Sequence, residues 1–372
     1  MKGFEKVGAG SVKLRRRPAS QDAASDPDPI DISAWRQELA PVYPATFLAD
    51  RSDAEIVELV RALGRLGVEL PSDAEKTSFP RTTRRRTAED RKRKFLEEAV
   101  AIEQTSAQEA GMLGYMARVL VQATMPHSAT AERQFLRSNG NLTISITALG
   151  NQPLPFGSYP RLLLAWLSTE AVRTQESEII LGDSLSAFMG KLGLLPTGGR
   201  WGTIPRFRQA AVSLFASAVA CFYDDETRSA GEILKIADKY NLWWNPKQPD
   251  QVALWRSTVK LSEQFFREVT TRPVPIDLRA VKALKQSPMA LDLYCWATYR
   301  VSYLKRPTEI PWELLKMQFG ADYADTKQGR YEFKRKLLAA LRRVVAVYPE
   351  LRAQDGEHGL KLAPSRSHIL PR

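Results

Sequence analysis

A chain of 372 residues is long for one compact core, so its length favours two ordered domains and an additional terminal segment. Hydrophobic residues make up 44% and charged residues 26%, which excludes disorder of the whole chain. The net charge of +12 favours a polyanionic partner, nucleic acid before others. The chain has no apolar run of about 18 residues and no secretory signal, which predicts a cytoplasmic protein without a membrane partner.

The first 95 residues differ in composition from the rest of the chain. Residues 22–31 are acidic and rich in proline, whereas eight of the fourteen positions from 81 to 94 are Lys or Arg. This basic run fits either a solvated, flexible linker or an auxiliary arm that binds phosphates. Between these segments, the spacing of apolar residues predicts a short amphipathic helix over residues 52–66, which packs on the protein or recruits a partner.

The middle of the chain predicts a first set of helices and strands. In chain order these are one long or kinked helix (95–122), a strand (141–148), a helix (162–172), a short helix (185–192) capped by Ser184 and ended by Gly193, a helix from Thr203 to Ala218, and strands at 232–237 and 264–269.

The end of the chain repeats the same order of elements without repeating the sequence. It predicts a helix (288–304), a three-turn helix after Ile310 and Pro311 that ends at Gly320, a helix (329–347) and a β-hairpin with its turn at Asp355-Gly356 and its return strand at 359–363. Three helices followed by a hairpin describe a winged helix, in which the third helix enters the major groove.

The predicted fold class is therefore α+β and mostly helical, with two winged-helix domains in tandem after a flexible N-terminal region. The predicted boundaries are 1–95 for the variable, partly disordered region, 96–275 for the first domain with its N-terminal helix and strand, and 276–372 for the second. The large aromatic residues Trp166, Trp296 and Trp312 fall on apolar faces, which predicts core packing for them.

Basic residues mark the third helix of each predicted domain. Residues 327–343 hold seven Lys or Arg and one acid, although a basic face can also be a merely solvated helix surface. The predicted DNA-binding residues are Arg200, Thr203, Arg206, Arg208 and Gln209 in the first domain, and Lys327, Arg330, Lys334, Arg335, Lys336, Arg342, Arg343, Lys361 and Arg366 in the second. Of these, Arg335 and Lys336 are the candidates for base edges, whereas Arg342 and Arg343 are the candidates for phosphates.

Cysteine and histidine usage predicts neither a metal nor a cofactor. Cys221 and Cys295 each lie in an apolar helical pattern, which indicates reduced, buried thiols. His127, His358 and His368 share no ligand spacing with each other or with the cysteines.

Several runs of residues resemble the replication-protein RepA family of bacterial plasmids. They are PFGSYPRLLLAWLSTEAVRT at 155–174, LGDSLSAFM at 181–189, TGG at 197–199, ALDLY at 290–294, YR at 299–300, SYL at 302–304, IPWE at 310–313, QFG at 318–320, GL at 359–360 and PS at 364–365. The resemblance runs from about residue 97 to 369. The helix after Thr203 departs from it, because residues 209–214 carry fewer basic side chains than the family leads one to expect.

The resemblance implies a protein that binds repeats at a plasmid origin and starts replication with host factors. The implied partners are double-stranded origin DNA, the host replication initiator and the replicative helicase, and the family also allows a homodimer.

Three other classes of function compete with this interpretation. An enzyme is disfavoured, because residues 198–203 (GGRWGT) lack the lysine and the spacing of a phosphate-binding loop and no nucleophile lies beside a base. A winged-helix transcriptional repressor that binds near its own promoter would share the same DNA-binding parts, so only the resemblance favours an initiator. A structural protein with a basic surface is the third alternative.

Overall fold

The computed structural model describes residues 88–369 apart from 123, 140, 246–247, 251–255 and 321–322, together with the single positions 33, 52, 53 and 56. Most of the helix predicted over residues 52–66 and the first half of the basic run at 81–94 therefore lie outside the described residues. The second half of that run is helical, since a helix begins at Ala88 with Glu89 and Asp90 in its first turn.

The described residues form α+β structure, as predicted. In chain order the elements are α1 (Ala88–Gln104), β1 (Leu113–Met116), α2 (Arg118–Gln122), β2 (Gln134–Asn139), β3 (Leu142–Ala148), α3 (Ser158–Thr174), β4 (Glu178–Gly182), α4 (Leu185–Lys191), α5 (Thr203–Phe215), β5 (Ser217–Asp224), β6 (Ser229–Lys235), β7 (Ala237–Asn241), β8 (Ser257–Leu261), α6 (Glu263–Thr271), β9 (Val274–Asp277), α7 (Leu278–Leu284), α8 (Pro288–Tyr303), β10 (Thr308–Pro311), α9 (Trp312–Phe319), α10 (Lys327–Val347), β11 (Ala353–Asp355) and β12 (Gly359–Leu362).

Local signals place the starts of several helices where the sequence predicts them. The Ser184 hydroxyl accepts a hydrogen bond from the Ala187 amide at 3.2 Å and begins α4. The Ser287 hydroxyl does the same for the Ala290 amide at 3.2 Å, and Pro288 occupies the first turn of α8. Each cap pairs an amide that has no partner within its helix.

The prediction of one helix over residues 95–122 is wrong. The chain leaves α1 after Gln104, and Gly111 adopts a left-handed conformation (φ 62°) that an L side chain rarely takes. The next residues form β1, which pairs with β9 from Leu113 opposite Asp277 to Met116 opposite Val274. A Cβ atom on Gly114 would lie 2.5 Å from the Leu278 side chain, so this close approach requires glycine.

The strand predicted at 264–269 is also wrong. These residues lie in α6, where the Ser262 hydroxyl caps the helix by accepting from the Phe265 amide at 3.1 Å. Phe265 and Val269 are buried one helical turn apart, so the helical period outweighs the local strand preference. The strand predicted at 232–237 is present but ends at Lys235, and Ala218 lies in β5 rather than in the preceding helix.

The strands form four small antiparallel sheets in the described part of the chain. Their orders are β1-β9, β2-β3-β5-β6, β4-β8-β7 and β10-β12-β11. Trp166 and Trp296 are buried, as predicted, and Trp312 is partly buried.

Two stretches of the chain share one topology. The first runs α3, β4, α4, α5, β7, β8, and the second runs α8, β10, α9, α10, β11, β12. In each, the strand before the second helix pairs with the last strand of the hairpin, β4 with β8 and β10 with β12. The first stretch differs by carrying β5 and β6, which belong to another sheet, where β5 pairs with β3 and β6 pairs with β5. The duplicated order is thus confirmed, whereas the assignment of winged-helix domains stays a prediction.

The described residues between 88 and 369 form one compact unit with a continuous hydrophobic core. Within it, α1 packs against α7 and α10, and α8 packs against both α3 and α10. The predicted boundary at residues 275/276 stays a prediction.

The two cysteines are free thiols in different surroundings. Cys295 is buried in α8, as predicted, whereas Cys221 is only partly buried and lies in β5 rather than in a helix. Burial raises the pKa of the Cys221 thiol to about 11 and raises that of Cys295 further.

Candidate nucleic-acid interface

Helix α10 presents one face to the core and the rest of its surface outwards. The Thr326 hydroxyl begins the helix by accepting from the Gly329 amide at 3.0 Å. Its buried side chains recur at helical spacing and pack towards α8; they are Phe333, Leu337, Ala340, Leu341, Val344 and Val347.

The open face of α10 carries positive charge along its length. At about 100° per residue, Lys327, Tyr331, Arg335 and Arg342 fall on one side of the helix, and all four are exposed. The Arg335 guanidinium pairs with the Glu332 carboxylate at 2.9 Å, an exposed contact that a phosphate or a base edge could replace. This face has the charge and the accessibility that DNA contact requires.

Lys336 and Arg343 lie on another side of α10, towards α1. Lys336 is exposed, but the Arg343 guanidinium lies 5.2 Å from the centre of the Phe95 ring in α1. Burial there lowers the pKa of Arg343. The predicted pair of phosphate contacts, Arg342 and Arg343, is therefore split between an open position and a half-buried one.

Lys334 connects α10 to the hairpin. Its ammonium lies 3.0 Å from the Asp355 carboxylate in β11 and 4.6 Å from the centre of the Trp312 ring in α9. Lys334 thus holds the predicted recognition helix against the predicted wing. Arg330, one turn earlier in α10, is exposed, and its guanidinium lies 3.7 Å from the Asp325 carboxylate.

The hairpin is held to the strand that precedes α9. The Glu309 carboxylate accepts from the His358 amide at 2.9 Å and from the Gly359 amide at 3.0 Å. Lys361 in β12 and Arg366 after it are both exposed, and the Arg366 carbonyl accepts from the Tyr348 hydroxyl at 2.6 Å. The backbone around the two basic residues is therefore fixed while their side chains remain accessible.

The candidates in and before α5 divide between exposed charges and internal contacts. Thr203 belongs to the second group, because its hydroxyl donates to the Leu195 carbonyl at 2.6 Å and accepts from the Thr197 amide at 2.9 Å. The Gln209 amide donates to both Gln152 and Ser213 at 3.2 Å.

Three arginines are the exposed members of this first set. Arg200 and Arg208 are open to solvent, and Arg206 is exposed although its Nε donates to the Gly202 carbonyl at 2.9 Å. The first set therefore offers exposed arginines, whereas Thr203 and Gln209 are hydrogen-bonded within the protein.

A surface groove brings α1 beside α5. Arg91 and Lys94 of α1, Arg206 of α5 and Lys285 after α7 line it, together with apolar residues that include Phe156. The sequence showed the charge run that contains Arg91 and Lys94, but it gave no signal that these residues would meet Arg206.

A buried charge network was not predicted. Arg161 of α3 makes two 2.7 Å contacts with the Asp292 carboxylate of α8, and His127 Nε2 lies 2.8 Å from the same carboxylate. Burial alone would raise the pKa of Asp292, but the Arg161 charge and the hydrogen bonds from Arg161 and His127 hold it below its usual value. The network fixes the first helix of one stretch against the first helix of the other.

The comparison with protein families identifies part of the chain. Residues 154–312 match the model of the family described as "Plasmid encoded RepA protein". Over these residues the chain is similar to that family. The predicted resemblance is confirmed over this segment, which is shorter than the range of 97–369 derived from the sequence. The match supports a replication initiator role.

The RepA match includes only part of the candidate interface. The RepA segment contains the candidates from Arg200 to Gln209, the three helices α3 to α5 and the Arg161–Asp292 pair. It ends within α9, so α10 and the hairpin lie beyond it.

The chain is also similar to two crystal structures of RctB. A selenomethionine derivative of RctB domains 2 and 3 has 10% identity and a TM-score of 0.45, covering 68% of this chain and 97% of that chain. A second structure of RctB domains 2–3 has 11% identity and a TM-score of 0.41, covering 65% of this chain and 94% of that chain. No curated protein sequence matches the chain.

The described residues contain neither a membrane-spanning helix nor a metal-binding cluster. None of the helices there is long and apolar enough to cross a membrane. No cluster of three or more His, Cys, Asp or Glu side chains in the same residues could hold a metal ion.

Proposed function

We propose that the chain is a plasmid replication initiator that binds repeated sequences in double-stranded origin DNA without catalysing a reaction. The observation that carries the proposal is the open basic face of α10, held beside a three-stranded sheet whose hairpin follows the helix directly. The RepA segment supports initiation rather than another use of the same DNA-binding parts.

The topology supports two winged-helix domains. A winged helix places a strand before its second helix and pairs that strand with the hairpin after its third helix, which is the order found around α4 and α5 and again around α9 and α10. In this proposal α5 and α10 are the recognition helices that enter the major groove.

The surroundings of each candidate assign its role on the DNA. Lys327, Arg335 and Arg342 share the open face of α10 and contact the duplex, with Arg335 in the N-terminal half nearest to base edges. Lys336 contacts a flanking phosphate from the side of the helix.

Other candidates act around these contacts. Lys361 and Arg366 reach the backbone from the hairpin, and Arg200, Arg206 and Arg208 supply phosphate contacts for the first domain. Lys334, Arg343, Thr203 and Gln209 position the helices, because their side chains are engaged within the protein.

The bound initiator recruits the host replication initiator and the replicative helicase in the cytoplasm, and it can act as a homodimer. The support for these partners is the RepA relationship.

The test compares two arginines in matched surroundings. Arg335 and Arg173 are both exposed and both pair with a glutamate three residues earlier, but only Arg335 lies on α10. Replacing Arg335 by Ala should weaken binding to origin DNA by about 1–3 kcal/mol and relax the preference at one base position. Replacing Arg173 by Ala should leave binding within about 0.5 kcal/mol, the usual effect of a surface change.

The measurement is affinity for origin and scrambled duplexes over a salt series, with footprinting of the DNA that flanks the gene. Periodic protection supports an initiator, whereas a single protected site at the promoter supports a repressor. Equal small effects of the two substitutions on both duplexes would contradict DNA reading by α10.

A further inference from the structure

The loop between α4 and α5 ends in an exposed tryptophan. Trp201 is 80% exposed, more than any other large apolar side chain in the described residues, and Leu195 nearby is 72% exposed. Tryptophan buries more apolar area than other residues when it enters a core or an interface. Trp201 and Leu195 therefore offer exposed apolar area, and the flat indole is able to stack on a planar partner.

The loop is rigid at its base and projects at its tip. Thr197 and Thr203 exchange hydrogen bonds, since each amide donates to the other hydroxyl at 2.9 Å. Gly199 adopts φ 80°, and a Cβ atom on Gly202 would lie 2.1 Å from the Thr197 carbonyl oxygen. The backbone on both sides of Trp201 is thus fixed, so the indole can enter a partner without a large entropic cost.

The positive charge around the Trp201 indole indicates that its partner is a polyanion. Residues 195–215 contain three arginines and no acidic residue. The Arg200 guanidinium lies 5.2 Å from the centre of the Trp201 ring, and Arg208 is exposed one helical turn into α5. An aromatic ring beside one cation, on a segment that exposes others, is a combination that stacks on a nucleobase while nearby phosphates are neutralised.

We propose that Trp201 packs against the bases of a distorted step in the bound duplex, with Arg200 and Arg208 on the neighbouring phosphates. The inference rests on the proposed function and adds a contact to it. It also accounts for the sparse polar surface of α5, because Thr203 and Gln209 are engaged within the protein and a loop residue supplies the contact instead. Wedge side chains of this kind partly unstack base steps and bend the duplex.

The experiment uses the full chain with three substitutions. Trp201→Ala removes the ring, Trp201→Phe keeps an aromatic ring, and Trp243→Ala is the control at another exposed tryptophan whose contact to Ser257 is made by its backbone amide. Trp201→Ala should weaken binding to origin DNA about 5- to 150-fold, the range for loss of a base-stacking aromatic. Trp201→Phe should retain most of the affinity, and the control should bind like the unaltered chain.

Two further readouts separate stacking from a general loss of binding. DNA should quench tryptophan fluorescence in the unaltered chain and in the control, and much less in Trp201→Phe. At saturating protein, permanganate should modify thymines at the bound site with the unaltered chain and not with Trp201→Ala. The inference is wrong, while the proposed function stands, if Trp201→Ala binds DNA with the affinity of the unaltered chain, is quenched by it to the same extent and distorts it equally. If the unaltered chain does not retain duplex DNA, both are wrong.

Discussion

Replacing Asp292 by Ala should destabilise the protein more than any surface change. The substitution leaves the Arg161 guanidinium, which is 3% exposed, without its carboxylate partner. It also removes the acceptor for His127 Nε2. Breaking a buried ion pair by deleting one partner costs about 3–5 kcal/mol, because the remaining charge is buried without compensation.

The hydrogen bonds that Arg161 keeps decide where in this range the loss of unfolding free energy falls. Arg161 still donates to the carbonyls of Met125, Pro126 and Gly157 at 2.6, 3.2 and 2.6 Å, so part of its solvation is retained. We therefore expect a loss near 3 kcal/mol, a large share of the 5–15 kcal/mol by which most proteins are stable.

Urea unfolding followed by circular dichroism measures this loss. With a slope of about 3 kcal/mol per molar urea, the midpoint should fall by about 1 M. Asp325→Ala is the matched control, since Asp325 pairs with Lys316 at 3.1 Å but is exposed, and its midpoint should hardly move. The double change Arg161→Met with Asp292→Leu should recover part of the stability, because an apolar pair removes the buried charges but takes the Arg161 donor from the Met125 and Gly157 carbonyls. A midpoint shift for Asp292→Ala no larger than that of the control would refute the reasoning.

Three other predictions concern titration, the hairpin and thiol access. Burial lowers the pKa of both His127 and His368 below the ordinary 6.5, so the unfolded chain binds protons at a higher pH than the folded chain does. The free energy of unfolding should therefore fall as the pH drops from about 8 to 5.5. Urea unfolding curves that do not change over this pH range would contradict the prediction. Lys334→Ala should speed hydrogen exchange in the hairpin while the control Lys336→Ala does not, as only Lys334 contacts Asp355. Cys295 should react with a thiol reagent only after unfolding, and rapid modification of the folded chain would count against its burial.

The sequence predicted elements well where the signal is local. The caps at Ser184 and Ser287 and the apolar stripe of α10 depend on residues within a few positions of each other. The strands β4 and β10 were missed because each is short and pairs with a strand far along the chain. Strand pairing of this kind is decided by tertiary contacts, to which local preference is a weak guide.

The candidate site was predictable in its charge and not in its accessibility. Seven cations over residues 327–343 are visible in the sequence, but the groups that engage two of them come from distant segments. Asp355 pairs with Lys334, and Phe95 covers Arg343. The exposure of Trp201 was not predicted, although Trp201 lies in the glycine-rich run GGRWGT and not on an apolar helical face like Trp166 and Trp296.

The two proposed recognition helices are built for different tasks. Helix α10 keeps its cations on an open face, where Arg335 is able to exchange its Glu332 partner for a base edge. In α5, Thr203 and Gln209 are hydrogen-bonded within the protein while Arg206 and Arg208 are exposed. Trp201 lies exposed just before the first turn of this helix. We therefore expect Arg335→Ala and Trp201→Ala to impair DNA binding in different ways. Arg335→Ala should lose discrimination between origin and scrambled DNA, because hydrogen bonds to base edges carry sequence information. Trp201→Ala should keep that discrimination while losing the distortion of the duplex, because every base offers a face on which a ring can stack.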